Sequence, residues 1–382
     1  MASGAATAHP ALSQQEAFAR IRLLRSPNIG PVSFSQLLRR FGSAEAALEA
    51  LPDLAAKGKR QYRAAPTGLV EREVEAVSAA GARYLFHDMP EYPALLAQTD
   101  GAPPILTVRG DLSLAARPCI AMVGARNSSA AAVKLARNFA DGLAQQGFTV
   151  VSGLARGIDG AAHEGALGAV KRGAAGGTIG VIASGIDIAY PPEHAKLQES
   201  VAKEGLLIAE EVPGTSPRGQ LFPKRNRIIA GLSAGTLVLE AATKSGSLIT
   251  ARLAGEMGRE VMAVPGSPLE PRSEGCNHLI REGAVLVQSV EDVVELLSGF
   301  DGNPRSTFRE VTEDFDHAEV DFDAEPADAS DIANLLTTAP VAVDELVRQS
   351  GESAGAVQMA LLELEISGQL VRHSGGRVAL AG

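Results

Sequence analysis

The chain has 382 residues, 45% of them hydrophobic, with 45 acidic against 35 basic side chains and a formal net charge of −10. Its two cysteines cannot build a disulfide framework, residues 1–14 lack the apolar core of a signal peptide, and no apolar run reaches the ~18 residues that span a bilayer. A cytoplasmic protein of several domains, with no membrane partner, is the expectation.

The charge is unevenly placed. Ten carboxylates lie between Glu310 and Asp331, a stretch without Lys or Arg, and the rest of the chain is close to neutral. A local basic groove is therefore compatible with the acidic total.

Residues 15–80 read as helical. Phe18, Ile21, Leu23 and Leu24 have helical spacing, and the breakers from Ser26 to Pro31 follow. Ser33 is placed to cap a second helix through Leu37, Leu38 and Phe41, ending at Gly42, and Ser43 to cap a third. Helix, glycine-containing turn, helix is the outline of a SAM-like or helix-hairpin-helix module.

Residues 83–300 read as an extended Rossmann-like α/β domain. Tyr84–Phe86 and Ile105–Val108 are β-rich runs suited to the sheet edge. Strands then alternate with helices: Ile120–Val123, Thr149–Val151, Ile179–Ile182, Leu206–Ala209, Thr236–Leu239, Val261–Val264 and Val285–Val287. The helices between them are expected to start near Ala130, Gly160, Glu193, Lys224, Ser247 and Asn277. That alternation predicts a parallel sheet covered on both faces, with ligands bound at the carboxyl ends of its strands.

Residues 301–330 read as an acidic flexible linker, without an apolar face and broken by Pro326. In residues 331–382, Ile332–Leu336, Val343–Val347 and Val357–Leu364 have helical patterns. Leu370–Arg372 and Arg377–Leu380, around Gly375-Gly376, read as a hairpin. Three helices and a hairpin make a winged helix.

Five loops at the expected strand ends suit anions. Gly124 allows close backbone approach, Arg126 offers a forked donor, and Ser128 or Ser129 can cap the following helix, whose amino end favours an anion. The loop Ser152-Gly153-Leu154-Ala155-Arg156-Gly157 has the glycines of a backbone nest, and His163 follows Asp159 at helical spacing to order it. Asp187 and Tyr190 follow the next strand. Phe222 can stack on a base, and Lys224, Arg225, Asn226 and Arg227 crowd a helix start placed at Pro223, where cations oppose the dipole unless an anion binds. Ser245, Gly246 and Ser247 open a further helix. No P-loop, metal cluster or nucleophile elbow is present, so no catalytic residue, metal or cofactor is expected. Backbone-led, salt-sensitive binding of single-stranded DNA is the reading that follows.

In this order the loops resemble the DNA-processing protein A family (DprA, also called Smf). The matching motifs are Gly124-Ala125-Arg126 with Ser129, Ser152 to Asp159 with His163, and Gly185-Ile186-Asp187 with Tyr190-Pro191. The match continues through Phe222 to Ile229, Ser245-Gly246-Ser247 and Val264-Pro265-Gly266. The resemblance implies a non-enzymatic, homodimeric binder of single-stranded DNA that loads the RecA recombinase during natural transformation, pairing through its Rossmann-like domain. Pro192 departs from members that carry a basic residue after Tyr-Pro, a contact that Lys196 could supply.

The presumed recognition helix, Ser353 to Ser367, has no Lys or Arg and carries Glu363 and Glu365, leaving only Gln358 for base edges. A protein-interaction role for the winged helix is favoured over duplex reading. An alternative for the whole chain is a phosphoribohydrolase-like enzyme of the same Rossmann-like class. Those enzymes have a PGGxGT-x-x-E loop where this chain reads Ser245 to Arg252, without the glutamate.

Overall fold

The computed structural model describes residues 12–56, 62–298, 328–373 and 375–381. Most of the expected acidic linker, 301–327, lies outside them. Two compact units form. One joins the two ends of the chain, up to Arg72 and, among the described residues, from 328 onward; the other begins at Glu73. Helix Thr67–Ala79 crosses that division.

The middle unit is a nine-stranded sheet of β1 (Arg83–Phe86), β2 (Ile105–Gly110), β3 (Cys119–Val123), β4 (Thr149–Ser152), β5 (Gly177–Gly185), β6 (Leu206–Glu211), β7 (Gly235–Val238), β8 (Glu260–Ala263) and β9 (Val285–Leu286). Their order is β1-β2-β6-β5-β4-β3-β7-β8-β9. From β3 onward the strands pair in parallel, while β2 joins β6 and β1 joins β2 antiparallel.

The apolar runs are explained by burial on both faces. Ala121, Val123, Val151, Ile179 and Val181 pack on one side with Ile228 and Ile229, and Ile120, Met122, Val150 and Leu237 on the other with Phe139, Leu143 and Ile158. Strand β5 runs further than Ile179–Ile182 because its glycines are packing positions, not ends. A methyl on Gly180 would lie 2.8 Å from the Leu154 side chain.

Strand order reverses at β3, with β4 on one side and β7 on the other. The crevice there is bridged at once: the Ala125 amide donates to the Glu240 carbonyl at 2.7 Å.

Several helices start earlier or later than expected. The basic helix spans Leu221–Leu232, two residues ahead of Pro223. Others begin at Ile158, Ala195 and Glu274. Proline is tolerated at position three of a helix because the first amides have no intrahelical partner anyway.

In the terminal unit, helices span Gln14–Leu24, Pro31–Phe41 and Ala44–Leu54. The second begins at Pro31 behind Gly30, so Ser33 is buried inside the helix and does not cap it. Ser43 caps the third through the Ala46 amide. The winged helix comprises helices Ala329–Asn334, Val343–Ser350 and Ala354–Ile366 with strands β10 (Val341–Ala342), β11 (Leu370–His373) and β12 (Arg377–Leu380), ordered β10-β12-β11. Among the described residues no helix is long and apolar enough to cross a membrane.

Candidate nucleic-acid interface

Loops following β3, β4, β5 and β6 converge on one open cavity. It is lined by Arg126, Gly153, Ala155, Arg156, Ser184, Tyr190, Phe222 and Arg225, with Ile182, Ala183, Pro191 and Pro217 completing the wall. Arg126 is exposed and lies over the Phe222 ring, 4.8 Å from its centroid. Phe222 in turn meets Tyr190 at 5.7 Å between centroids. A cation and two rings thus share one wall, a surface suited to both a phosphate and a base.

Arg225 forms the floor. It is 5% exposed, donates from Nη1 to the Val181 carbonyl at 3.0 Å, and its Nε has no partner. Burial pulls its guanidinium down to about 10, partly offset by the nearby Asp159 carboxylate. Gly153 is glycine because that guanidinium fills the place of its side chain. Arg156 is exposed and ion-paired with Glu193. Such an exposed pair is worth little, so an incoming phosphate can take the arginine at small cost.

Two of the expected anion seats are already filled by the protein's own carboxylates. At the start of helix Ala130–Gln145, Glu240 accepts from the Ser129 amide at 2.9 Å and from its hydroxyl at 2.7 Å, while Ser129 Oγ accepts from Ala132 N. In the β4 loop the Gly153 amide donates to Asp159 Oδ2 at 3.1 Å. Burial raises the Asp159 carboxyl; Arg225 and Arg126 oppose that rise. Both helix start and nest are anion sites as the sequence suggests, but the anions are intramolecular.

The remaining sequence-predicted residues have other surroundings. Gly124 is wedged between Ile158 and the Glu240 carbonyl, and Gly157, at φ +73°, sits against Ala125 O. Ser152 Oγ donates to Met122 O at 2.6 Å, and Leu154 is fully buried. Asp187 accepts from the Gly214 amide at 2.8 Å. Lys224 pairs with Glu211 at 2.8 Å, and Arg227 with Glu210 at 2.6 Å. The basic helix start is therefore balanced largely by Glu210 and Glu211 at the end of β6. Asn226 Nδ2 reaches Gly246 O at 3.5 Å, and Ser245 Oγ lies 2.7 Å from Ser247 Oγ.

His163 takes Thr178 as its side-chain hydrogen-bond partner, not Asp159. Its Nδ1 is 2.7 Å from Thr178 Oγ1, whose own proton goes to Val150 O, so Nδ1 donates. Burial pushes this imidazole down to about 3, with His194 and Arg225 adding to the drop. It is a neutral core residue. Among the described residues no group of three or more His, Cys, Asp or Glu side chains could hold a metal ion.

Tyr190 lines the cavity, and so do Ser184 and Pro217, neither of which was among the expected contact residues. Tyr190 was legible from its position after the Gly185-Ile186-Asp187 turn.

Over residues 83–298 the chain matches the DNA recombination-mediator protein A family, over 14–76 the DprA-like N-terminal HHH domain, and over 318–376 the DprA winged helix domain. Protein Smf of Escherichia coli (strain K12) is 38% identical over 298 residues, 77% of this chain and 76% of that one. The X-ray structure of DNA processing protein A from Streptococcus pneumoniae gives a TM-score of 0.61 at 33% identity, covering 74% of this chain and 97% of that chain. The DNA processing protein A of Helicobacter pylori, described for its unique single-stranded DNA binding mode, gives 0.50 at 27% identity over 57% of this chain and 95% of that one.

Proposed function

Because the chain belongs to the DNA recombination-mediator protein A family, we propose that it binds single-stranded DNA in the Arg126–Arg225 cavity and hands the strand to the RecA recombinase in DNA uptake. The observation that carries this reading is the convergence of Arg126, Arg156 and Arg225 with Phe222 and Tyr190 on one open cavity. Guanidinium groups hold phosphates without reading sequence, and aromatic rings accept any base. The function requires no catalytic group, and the cytoplasm is its natural setting.

Of the residues expected to touch DNA, we assign direct contact to Arg126, Gly153, Ala155, Arg156, Phe222 and Arg225. Ser129, Ser152, Leu154, Gly157 and Asp187 support the loops that carry them. Lys224 and Arg227 contribute field more than contact, since each already has an acidic partner. Asn226 with Ser245, Gly246 and Ser247 would meet the strand where it leaves the cavity.

Homodimer formation through the Rossmann-like domain is part of the same proposal. It is supported by the sheet edge at β9, where Val285 and Leu286 are 37% and 46% exposed. An apolar open edge is a place for another chain to pair.

The test is a titration of a labelled single-stranded oligonucleotide and of its duplex at low salt. The wild-type chain should prefer the single strand, and Arg126→Ala with Arg156→Ala should lose at least tenfold in affinity. Equal binding by the double variant would refute the site. RecA delivery is read separately, as faster RecA assembly on a strand coated with single-strand-binding protein.

A further inference from the structure

The third helix of the winged helix is packed against protein on two sides. Helix Ala354–Ile366 has only Gln358, Glu363 and Glu365 as polar residues, and ten of its thirteen residues are buried, more than one packed face can account for. Two separate cores use it. Ala356, Val357, Ala360, Leu361 and Leu364 pack with Ile332, Leu346 and Val378 of the winged helix itself. Met359, Leu362 and Ile366, all at most 2% exposed, pack with Leu23, Phe34, Leu37 and Leu51 of the amino-terminal helices.

The rim of that second contact is polar and specific. Asn28 Nδ2 donates to the Ile366 carbonyl at 3.1 Å, and Gln36 Nε2 donates to Gln358 Oε1 at 2.8 Å. Gln358 is the one amide this helix could offer to a base edge, and Gln36 occupies its oxygen. Glu365 pairs with Arg372 of the wing at 2.7 Å, which removes a cation that could have met phosphate.

We propose that the docking partner of the winged helix is the amino-terminal helical domain of the same chain. The Met359–Leu362–Ile366 face is a lasting protein interface that closes the two ends of the chain on each other. A groove-reading helix needs an exposed polar face, and this one has given both its faces to protein. The winged helix therefore does not read duplex DNA through its third helix, and the amino-terminal domain depends on that helix to complete its core. The inference is independent of what the central cavity binds.

The test uses the full chain with a protease site inserted between residues 301 and 327. After cleavage, the carboxy-terminal piece should co-elute with the remainder on size exclusion at micromolar concentration. Leu362→Asp should release it. Gln36→Glu with Gln358→Glu, which sets two carboxylates face to face without emptying the core, should weaken the association at least tenfold. Gln36→Glu with Gln358→Lys should restore most of it. Elution of the wild-type piece alone would overturn the proposal. So would uncut chains that pair through this face between copies, seen as a dimer lost in Leu362→Asp, and so would a Gln358→Ala chain with altered duplex affinity.

Discussion

The guanidinium of Arg225 occupies the space that a side chain on Gly153 would need, so the two residues fit only as a pair. Gly153 does not have a positive φ, and its backbone is one that other residues adopt. Its smallness serves the arginine, which it holds at the floor of the cavity beside the Asp159 carboxylate.

This pairing makes a non-additive prediction. Gly153→Ala and Arg225→Ala should each weaken single-strand binding by roughly tenfold, about one charge-assisted contact. The double variant should be no weaker than the worse single one, because both remove the same guanidinium from the same place. Arg225→Ala should also cost about 3 kcal/mol of stability, since it leaves Asp159 buried without its nearest cation. Anisotropy titration together with urea unfolding separates the two effects.

The basic helix should divide into contact and support. Arg126→Ala is expected to lower affinity roughly tenfold with little change in Tm, because an exposed residue away from the core rarely moves stability by more than about 0.5 kcal/mol. Arg227→Ala should do the reverse: it takes from Glu210, whose side chain is 12% exposed, its nearer cation and leaves only Lys224 at 3.6 Å, and should cost about 1 kcal/mol with a small effect on DNA. Calorimetry and titration of both variants check the contrast.

Ser129 provides a sharper division, because Glu240 holds both its amide and its hydroxyl. Ser129→Ala should cost about 1 kcal/mol through loss of the helix cap and leave single-strand affinity unchanged. A comparable loss of affinity without loss of stability would return Ser129 to the DNA contact surface.

His163 sets a pH dependence. Its folded value is about 3, against about 6.5 in an unfolded chain. Between these values the unfolded chain holds the extra proton, so stability is full above pH 6.5 and falls as the pH drops towards 3. At pH 5 the loss from this one group is roughly 2 kcal/mol, at 1.36 kcal/mol per pH unit. His163→Gln, which keeps a donor towards Thr178, should show a smaller drop in unfolding free energy between pH 7.5 and pH 5.

The sheet was legible because strands buried on both faces write continuous apolar runs, as Cys119–Val123 and Leu206–Ala209 do. The ends of β5 were not, because Gly177 and Gly180 look like breakers when they are close-packing positions. Arg126 and Phe222 were found from their places beside strand ends. What the sequence could not show was who neutralises whom. Glu240 reaches Ser129 across 111 residues of chain, and Glu210 and Glu211 reach back to Arg227 and Lys224 from the preceding strand. A run of basic residues reads the same in sequence whether its charge is free or already matched.

Binding of a single strand in the Arg126–Arg225 cavity is tested most directly by its salt dependence. Each phosphate engaged adds about 0.7 to the slope of log affinity against log salt for a single strand. The wild-type chain should show a steep slope, and Arg126→Ala with Arg156→Ala should reduce it by about 1.4, two phosphates' worth. Parallel lines for the two proteins would place the bound strand elsewhere and contradict the account.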